Sequence, residues 1–132
     1  MSSDVLERKV IHPGKPFIKE GEEHGRAYLI QRGAVRAYTQ DEEGNQIEVA
    51  RYGTGSIVGE IGLVADDPMD MSFEAVCDTT VAAITRQDFE KKIKRMDPTI
   101  KTILTYVIDK LRIQEIMAIR KANERERIDG TA

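Results

Sequence analysis

Between Arg26 and Thr85, glycines cut the chain into short segments that alternate polar and apolar residues, and few architectures accept that texture. Tyr28 and Ile30 lie on one side of a segment that Gly33 breaks. Val35, Ala37 and Thr39 then alternate against Arg36, Tyr38 and Gln40. The polar tip Asp41-Glu42-Glu43-Gly44-Asn45 turns the chain back into Ile47, Val49 and Arg51. A period of two sends successive side chains to opposite faces of a sheet, and a polar tip with a glycine is a hairpin signal. Gly53-Thr54-Gly55 closes the returning segment, and Val76 to Thr85 adds another rich in β-branched residues. Strands recurring at intervals of roughly 8 to 12 residues predict an antiparallel barrel or sandwich. Ahead of this zone, Phe17-Ile18 lies between Pro16 and Gly21 and reads as a further short strand.

After Thr85 the period changes. Thr85 and Asp88 have the spacing of a capping box, and Phe89, Ile93 and Met96 then fall on one helical face. Asp97-Pro98 opens a second helix, with an N-cap followed by proline at the first helical position. No glycine or proline interrupts it before about Arg127, and the tail from Asn123 is expected to fray. Ile100, Leu104, Val107, Leu111, Ala118 and Ala122 form one stripe, and its first four members are expected to pack on the β portion. Ile113, Ile116, Met117 and Ile119 are surplus to that stripe. A homodimer through this helix is the expectation, with Glu115, Arg120, Lys121, Glu124 and Arg125 setting its edges. A protein effector is a further partner this surface allows.

Composition narrows the function. A chain of 132 residues, 40% hydrophobic and 33% charged, suits one domain over 1–132, with a β portion at about 8–85 and helices at about 86–127. Twenty basic against 23 acidic residues, with no tryptophan, argue against a nucleic-acid partner, as does the lack of a helix-turn-helix pattern. No apolar run nears the roughly 20 residues of a membrane span, and MSSDVLERKV lacks the apolar stretch of a signal peptide. The expected address is the cytoplasm, without membrane association. Cys77, the one cysteine, reads as a small buried thiol in a strand-like run. His12 and His24 are the only histidines, in turn regions, which leaves too few ligands for a metal enzyme of the cupin type. Catalytic residues, a metal and a cofactor are all expected to be absent, so the chain does not read as an enzyme.

Gly59-Glu60-Ile61-Gly62-Leu63 is the stretch that carries chemistry. It ends a β-like segment and begins a short apolar turn, whose backbone amides suit an anion. Glycines at 59 and 62 let the backbone approach a ligand closely. The order of landmarks around it is more specific. Gly14 precedes Phe17-Ile18 and the turn Lys19-Glu20-Gly21; Ala27 to Val35 follow, then the tip ending at Gly44, Gly53-Thr54-Gly55, the Gly59–Leu63 cassette, and Ala82 to Phe89.

Over about residues 10–115 this order resembles the cyclic nucleotide-binding domain family. The resemblance implies a mainly β domain: an antiparallel, eight-stranded double-stranded β-helix (jelly roll) with short helices at its ends and a long C-terminal helix. It also implies a ligand cupped by the cassette and coupled to the C-terminal helices. Glu60 stands where the family's carboxylate accepts the ribose 2′-hydroxyl, amides around Ile61, Gly62 and Leu63 face the phosphate, and Ser72 keeps a hydroxyl near the cassette's end. The arginine that forks onto the cyclic phosphate in the family is missing. Met69 stands there, or Asp70 in a register one residue longer, and no arginine occurs between Arg51 and Arg86. Neither replacement supplies a charged bidentate donor. Arg36 or Arg51 reaching the cavity would be the substitute. The expectation is a stand-alone sensory or regulatory module whose binding of cyclic AMP, cyclic GMP or another small anion is weak or lost. The competing expectation is a scaffold that binds no ligand and acts through helix-mediated association. For Met69 and Met71 the plainer reading is simple packing of a flexible loop, and for Ser72 a backbone hydrogen bond.

Overall fold

In this computed structural model, which describes residues 6–64 and 66–131, β2 (Arg26–Arg32) organises the larger of two sheets. It pairs with β7 (Thr79–Thr85) on one side and β5 (Ile57–Val58) on the other, and β1 (Glu7–Ile11) covers the far edge of β7. In the smaller sheet β3 (Val35–Gln40) lies between β4 (Gln46–Tyr52) and β6 (Ser72–Ala75). Every pairing is antiparallel. Both sheets contribute to one core, which includes Tyr28, Ile30, Val58 and Val81 from the larger and Val35, Ala37, Phe73 and Ala75 from the smaller. The fold is the antiparallel β-roll with a long C-terminal helix that the sequence implies.

The strand pattern departs from simple alternation in three places. A register shift between Ala37 and Tyr38 turns Tyr38 inward, so β3 buries three consecutive residues. A bulge of this kind re-aims the side chains that follow it. Thr39, also buried, donates its hydroxyl to Glu20 Oε2 at 2.7 Å. Phe17-Ile18 forms only an isolated bridge, Ile18 to Phe73, because Pro16 has no amide to extend the ladder and Gly21 turns the chain away. Among the described residues seven strands therefore stand where eight are implied. Cys77 is exposed, contrary to the buried thiol expected, since residues 76–78 form a bend between β6 and β7 rather than strand.

The helix caps follow from local chemistry. α1 (Arg86–Lys94) starts at Thr85, whose Oγ1 accepts the Asp88 amide at 3.2 Å. α2 (Pro98–Thr131) starts at Asp97, whose Oδ1 accepts the Thr99 amide at 2.8 Å. The helix continues past Arg127, where a frayed tail was expected.

The rotation of α2 departs in part from the expected use of its faces: Leu104 packs inward and Ile113 and Met117 stay exposed, but three other members of the stripe do not pack on the roll. Ile108 is its buried residue, with Leu104, Ile116 and Ile119 half-buried, while Ile100, Val107 and Leu111 are 51%, 45% and 41% exposed. Both stripes are apolar, so periodicity could not choose between them. Arg112 and Glu115 lie on the inward face beside Ile108, and the partners they find on the roll accompany that choice.

Two small residues hold the frame. A Cβ on Gly62 would lie 1.9 Å from the His24 carbonyl oxygen, so the turn at residue 62 rests directly on the backbone leading into β2. Buried Thr79 has its hydroxyl 2.8 Å from the Cys77 carbonyl and 3.1 Å from that of Ala34, and accepts the Ala34 amide at 3.3 Å. Gly62→Ala is expected to destabilise by about 1–3 kcal/mol through overpacking, read as a lower urea midpoint. Thr79→Val, which keeps the shape and strands the backbone partners, is expected to lose about 1–3 kcal/mol in the same assay. An unchanged midpoint for either variant contradicts the packing described.

Candidate functional site

The chain leaves β5 through Gly59, whose left-handed φ of 80° suits glycine, and winds at once into the 3-10 turn Glu60–Leu63. Ile61, Gly62 and Leu63 are buried. The turn uses its own amides: Gly62 N–H donates to the Gly59 carbonyl at 3.0 Å, and Val64 N–H to that of Ile61 at 3.1 Å. The close approach that Gly59 and Gly62 permit is to the protein itself. A Cβ on Gly59 would lie 2.8 Å from the Arg26 carbonyl oxygen. The ligand-approach role expected for these glycines therefore has a structural competitor that requires them equally.

The segment from Asp67 to Ser72 forms the other wall. Met69 N–H donates to the Glu22 carbonyl at 2.9 Å, and its own carbonyl accepts the Gly21 amide at 2.8 Å. Anchored this way, the Met69 and Met71 side chains enter the core cluster and are 7% and 2% exposed. Thioether side chains adapt to irregular interior space. Ser72 Oγ accepts the Glu20 amide at 2.9 Å, the backbone role that was its plainer reading. Asp70 lies at the cavity, half-buried, and Asp67 lines it as well.

From above, α2 brings Arg112 and Glu115 onto the same cavity. Arg112 pairs with Asp67, and Glu115 lies near enough to Glu60 to feel its charge. What remains between the cassette wall and the helix is about 10 Å³ of space. Sites for small organic ligands run to roughly 300–1,000 Å³, and a single water needs roughly 10–15 Å³. The cavity is thus closed by the protein's own side chains.

Its electrostatics are acidic. Burial first, then the charge and hydrogen bond of Glu60, then the charge of Asp70 push Glu115 up to about 8. Burial, with help from Glu20, also raises Asp70 above the usual carboxylate range. Tyr52, on β4 beside the cavity, is raised by burial and by the charges of Glu115 and Glu60. Neither substitute arginine arrives. Arg36 stacks 4.3 Å from the centre of the Tyr38 ring and bonds Gln46 and Glu74, and Arg51 forks onto Glu48 at 3.0 and 3.1 Å. Among the described residues lining the cavity, Arg112 is the one cation. Sequence reasoning missed Arg112, and it gave Glu115 to the edge of a dimer seam rather than to this cavity. Their signal was two charges at i and i+3 inside an otherwise apolar stripe running from Ile108 to Ile119.

The histidines stand apart from this site. His12 Nδ1 lies 2.8 Å from Asp78, and His24 Nε2 2.9 Å from the Tyr28 hydroxyl. Among the described residues no group of three His, Cys, Asp or Glu side chains is placed to hold a metal ion, and no helix is long and apolar enough to cross a membrane.

Comparison with known proteins agrees with this architecture. Residues 8–96 match the family of the cyclic nucleotide-binding domain. The cAMP-dependent protein kinase regulatory subunit of Colletotrichum orbiculare is 33% identical over 89 residues, covering 67% of this chain and 22% of that protein. The cyclic AMP receptor protein of Thermus thermophilus is 28% identical over 96 residues, covering 73% of this chain and 44% of that protein. The chain therefore spans less than half the length of either relative. The crystal structure of the Thermus thermophilus catabolite activator protein superposes with a TM-score of 0.71 at 25% identity, over 88% of this chain and 55% of that one. The glycine landmarks, the two-sheet roll, the turn at Glu60–Leu63 and this match over residues 8–96 agree, and the chain belongs to the cyclic nucleotide-binding domain family.

Proposed function

We propose that this domain is a regulatory module that binds cyclic AMP and cyclic GMP weakly or not at all and acts through α2. The observation that carries this reading is the closed cavity, with Met69 and Met71 in its wall, Glu115 above it and about 10 Å³ left between. The charge balance supports it. Removing one partner of a buried ionic contact costs about 2–5 kcal/mol, roughly 30- to 5,000-fold in affinity. A carboxylate within ~4 Å of a phosphate opposes binding by a few kcal/mol more at a surface-like dielectric. Asp70 brings a carboxylate to the cavity against an anionic ligand, and Arg112 is already engaged by Asp67. Titration calorimetry with both nucleotides is expected to show no saturation in the submicromolar range. A dissociation constant below about 1 μM for either would overturn the reading.

The output surface in this proposal is the outer face of α2, and its occupant is a second copy of the chain. Ile100, Ile103, Val107 and Leu111 are 51%, 55%, 45% and 41% exposed, at the spacing of three and four residues that forms a helix-pairing seam. Covering such a stripe removes apolar area from water at roughly 25 cal/mol per Å². The seam differs from the sequence expectation, because Ile116 and Ile119 face inward. Light scattering at tens of micromolar is expected to give about twice the 14.9 kDa chain mass. Leu111→Glu is expected to halve that mass while leaving the roll folded. A monomeric wild-type chain would reject the dimer.

A further inference from the structure

A second and larger cavity opens where α1, α2 and the end of the 3-10 turn meet. It measures about 260 Å³, against about 10 Å³ at the cassette. Leu63 lines it from the turn, Phe89 and Ile93 from α1, and Leu104 and Ile108 from α2, so the wall is mostly apolar. Interiors normally close such space, because each lining atom without a neighbour forfeits dispersion contacts. A gap of this size between three packed elements is an exception, and the charges around it say what would fill it.

Lys94 and Lys101, both exposed, line the same cavity, one from the end of α1 and one from the start of α2. Long cationic side chains lay their methylene stems along apolar surface and keep the ammonium in water. Two positive charges thus stand at the mouth of an apolar space. Among the described residues lining it, Glu90 is the one acid, and Arg86 Nε holds its Oε1 at 3.3 Å. Neither lysine ammonium enters an ion pair among the described residues. Thr105 spends its hydroxyl on the Lys101 carbonyl at 2.9 Å. The lining therefore offers apolar contact and two uncompensated cations, with no spare neutral hydrogen-bonding side chain.

We propose that this cavity binds a small amphipathic monoanion, an aliphatic carboxylate of medium chain length, with its chain among the apolar side chains and its carboxylate at Lys94 and Lys101. At ~30 Å³ per water-sized unit the space holds about nine such units, enough for the tail of octanoate. The site lies on a different face of α2 from the Ile100–Leu111 stripe, since Lys101, Leu104, Thr105 and Ile108 follow their own line at spacings of three and four residues. It stands whether or not a nucleotide binds at the cassette and whether or not the chain dimerises. A ligand there touches the turn and both helices, so its binding stabilises their junction.

Methyl-resolved NMR of the full chain titrated with octanoate tests the site. The expected result is saturable shifts of the Leu63, Ile93, Leu104 and Ile108 methyls, with a dissociation constant below about 1 mM and no movement at Ile103 or Val107. Octan-1-ol, of the same chain length and uncharged, is expected to bind about threefold to tenfold more weakly, the gain two exposed cations allow. Lys94→Gln combined with Lys101→Gln, both at exposed positions, is expected to bind octanoate and octan-1-ol alike. No saturable shift up to about 10 mM octanoate overturns the proposal. So do shifts centred on the outer stripe, or equal binding of the two ligands by the wild type. Shifts of the lining methyls on dilution of the protein alone also overturn it, since they give the cavity to a second copy of the chain.

Discussion

Gly62 lies so close to the His24 carbonyl that no side chain can stand between them, and that contact sets the height of the 3-10 turn above the roll. With the turn seated there, Ile61 and Leu63 are buried and Glu60 projects toward α2. The depth at which α2 can dock follows from the same contact. A turn raised by the width of one methyl would push Glu60 into the helix and disturb the Asp67–Arg112 pair beside it. Interiors packed at crystal-like density pass such displacements on rather than absorb them. The geometry of the cavity is therefore a consequence of backbone contact beneath it.

One departure from the family pattern, Met69 in place of the arginine, has two effects. Placing Met69 in the wall removes a charge and adds a flexible apolar side chain, which the core takes in. With that volume filled, Arg112 and Glu115 of α2 line a cavity of about 10 Å³. An arginine at Met69 would need the backbone anchors at Gly21 and Glu22 to turn its side chain outward, away from the core it now fills. The loss of the cation and the closure of the space are one structural event.

Buried carboxyl pairs ordinarily destabilise, because desolvation and like charge act together. Here Glu60 and Glu115 lie at the junction between the roll and a helix that also docks through the Asp67–Arg112 ion pair and the apolar residues Ile108 and Ile119.

Much was legible from the residues alone. Glycine spacing and period-two alternation indicated the roll, Thr85 and Asp97 marked both helix starts, and the order of landmarks up to Gly59–Leu63 pointed to the family. These signals are local, because caps, hairpins and alternation arise from neighbours within a few residues. What the sequence could not decide depends on contacts across the chain. The bulge at Tyr38, the exposure of Cys77, and the reduction of Phe17-Ile18 to one bridge each turn on register with a distant strand. The rotation of α2 was beyond reach for the same reason. Its two apolar stripes are equivalent along the helix, and only the positions of Asp67, Glu60 and the core beside Ile119 make one of them the inside.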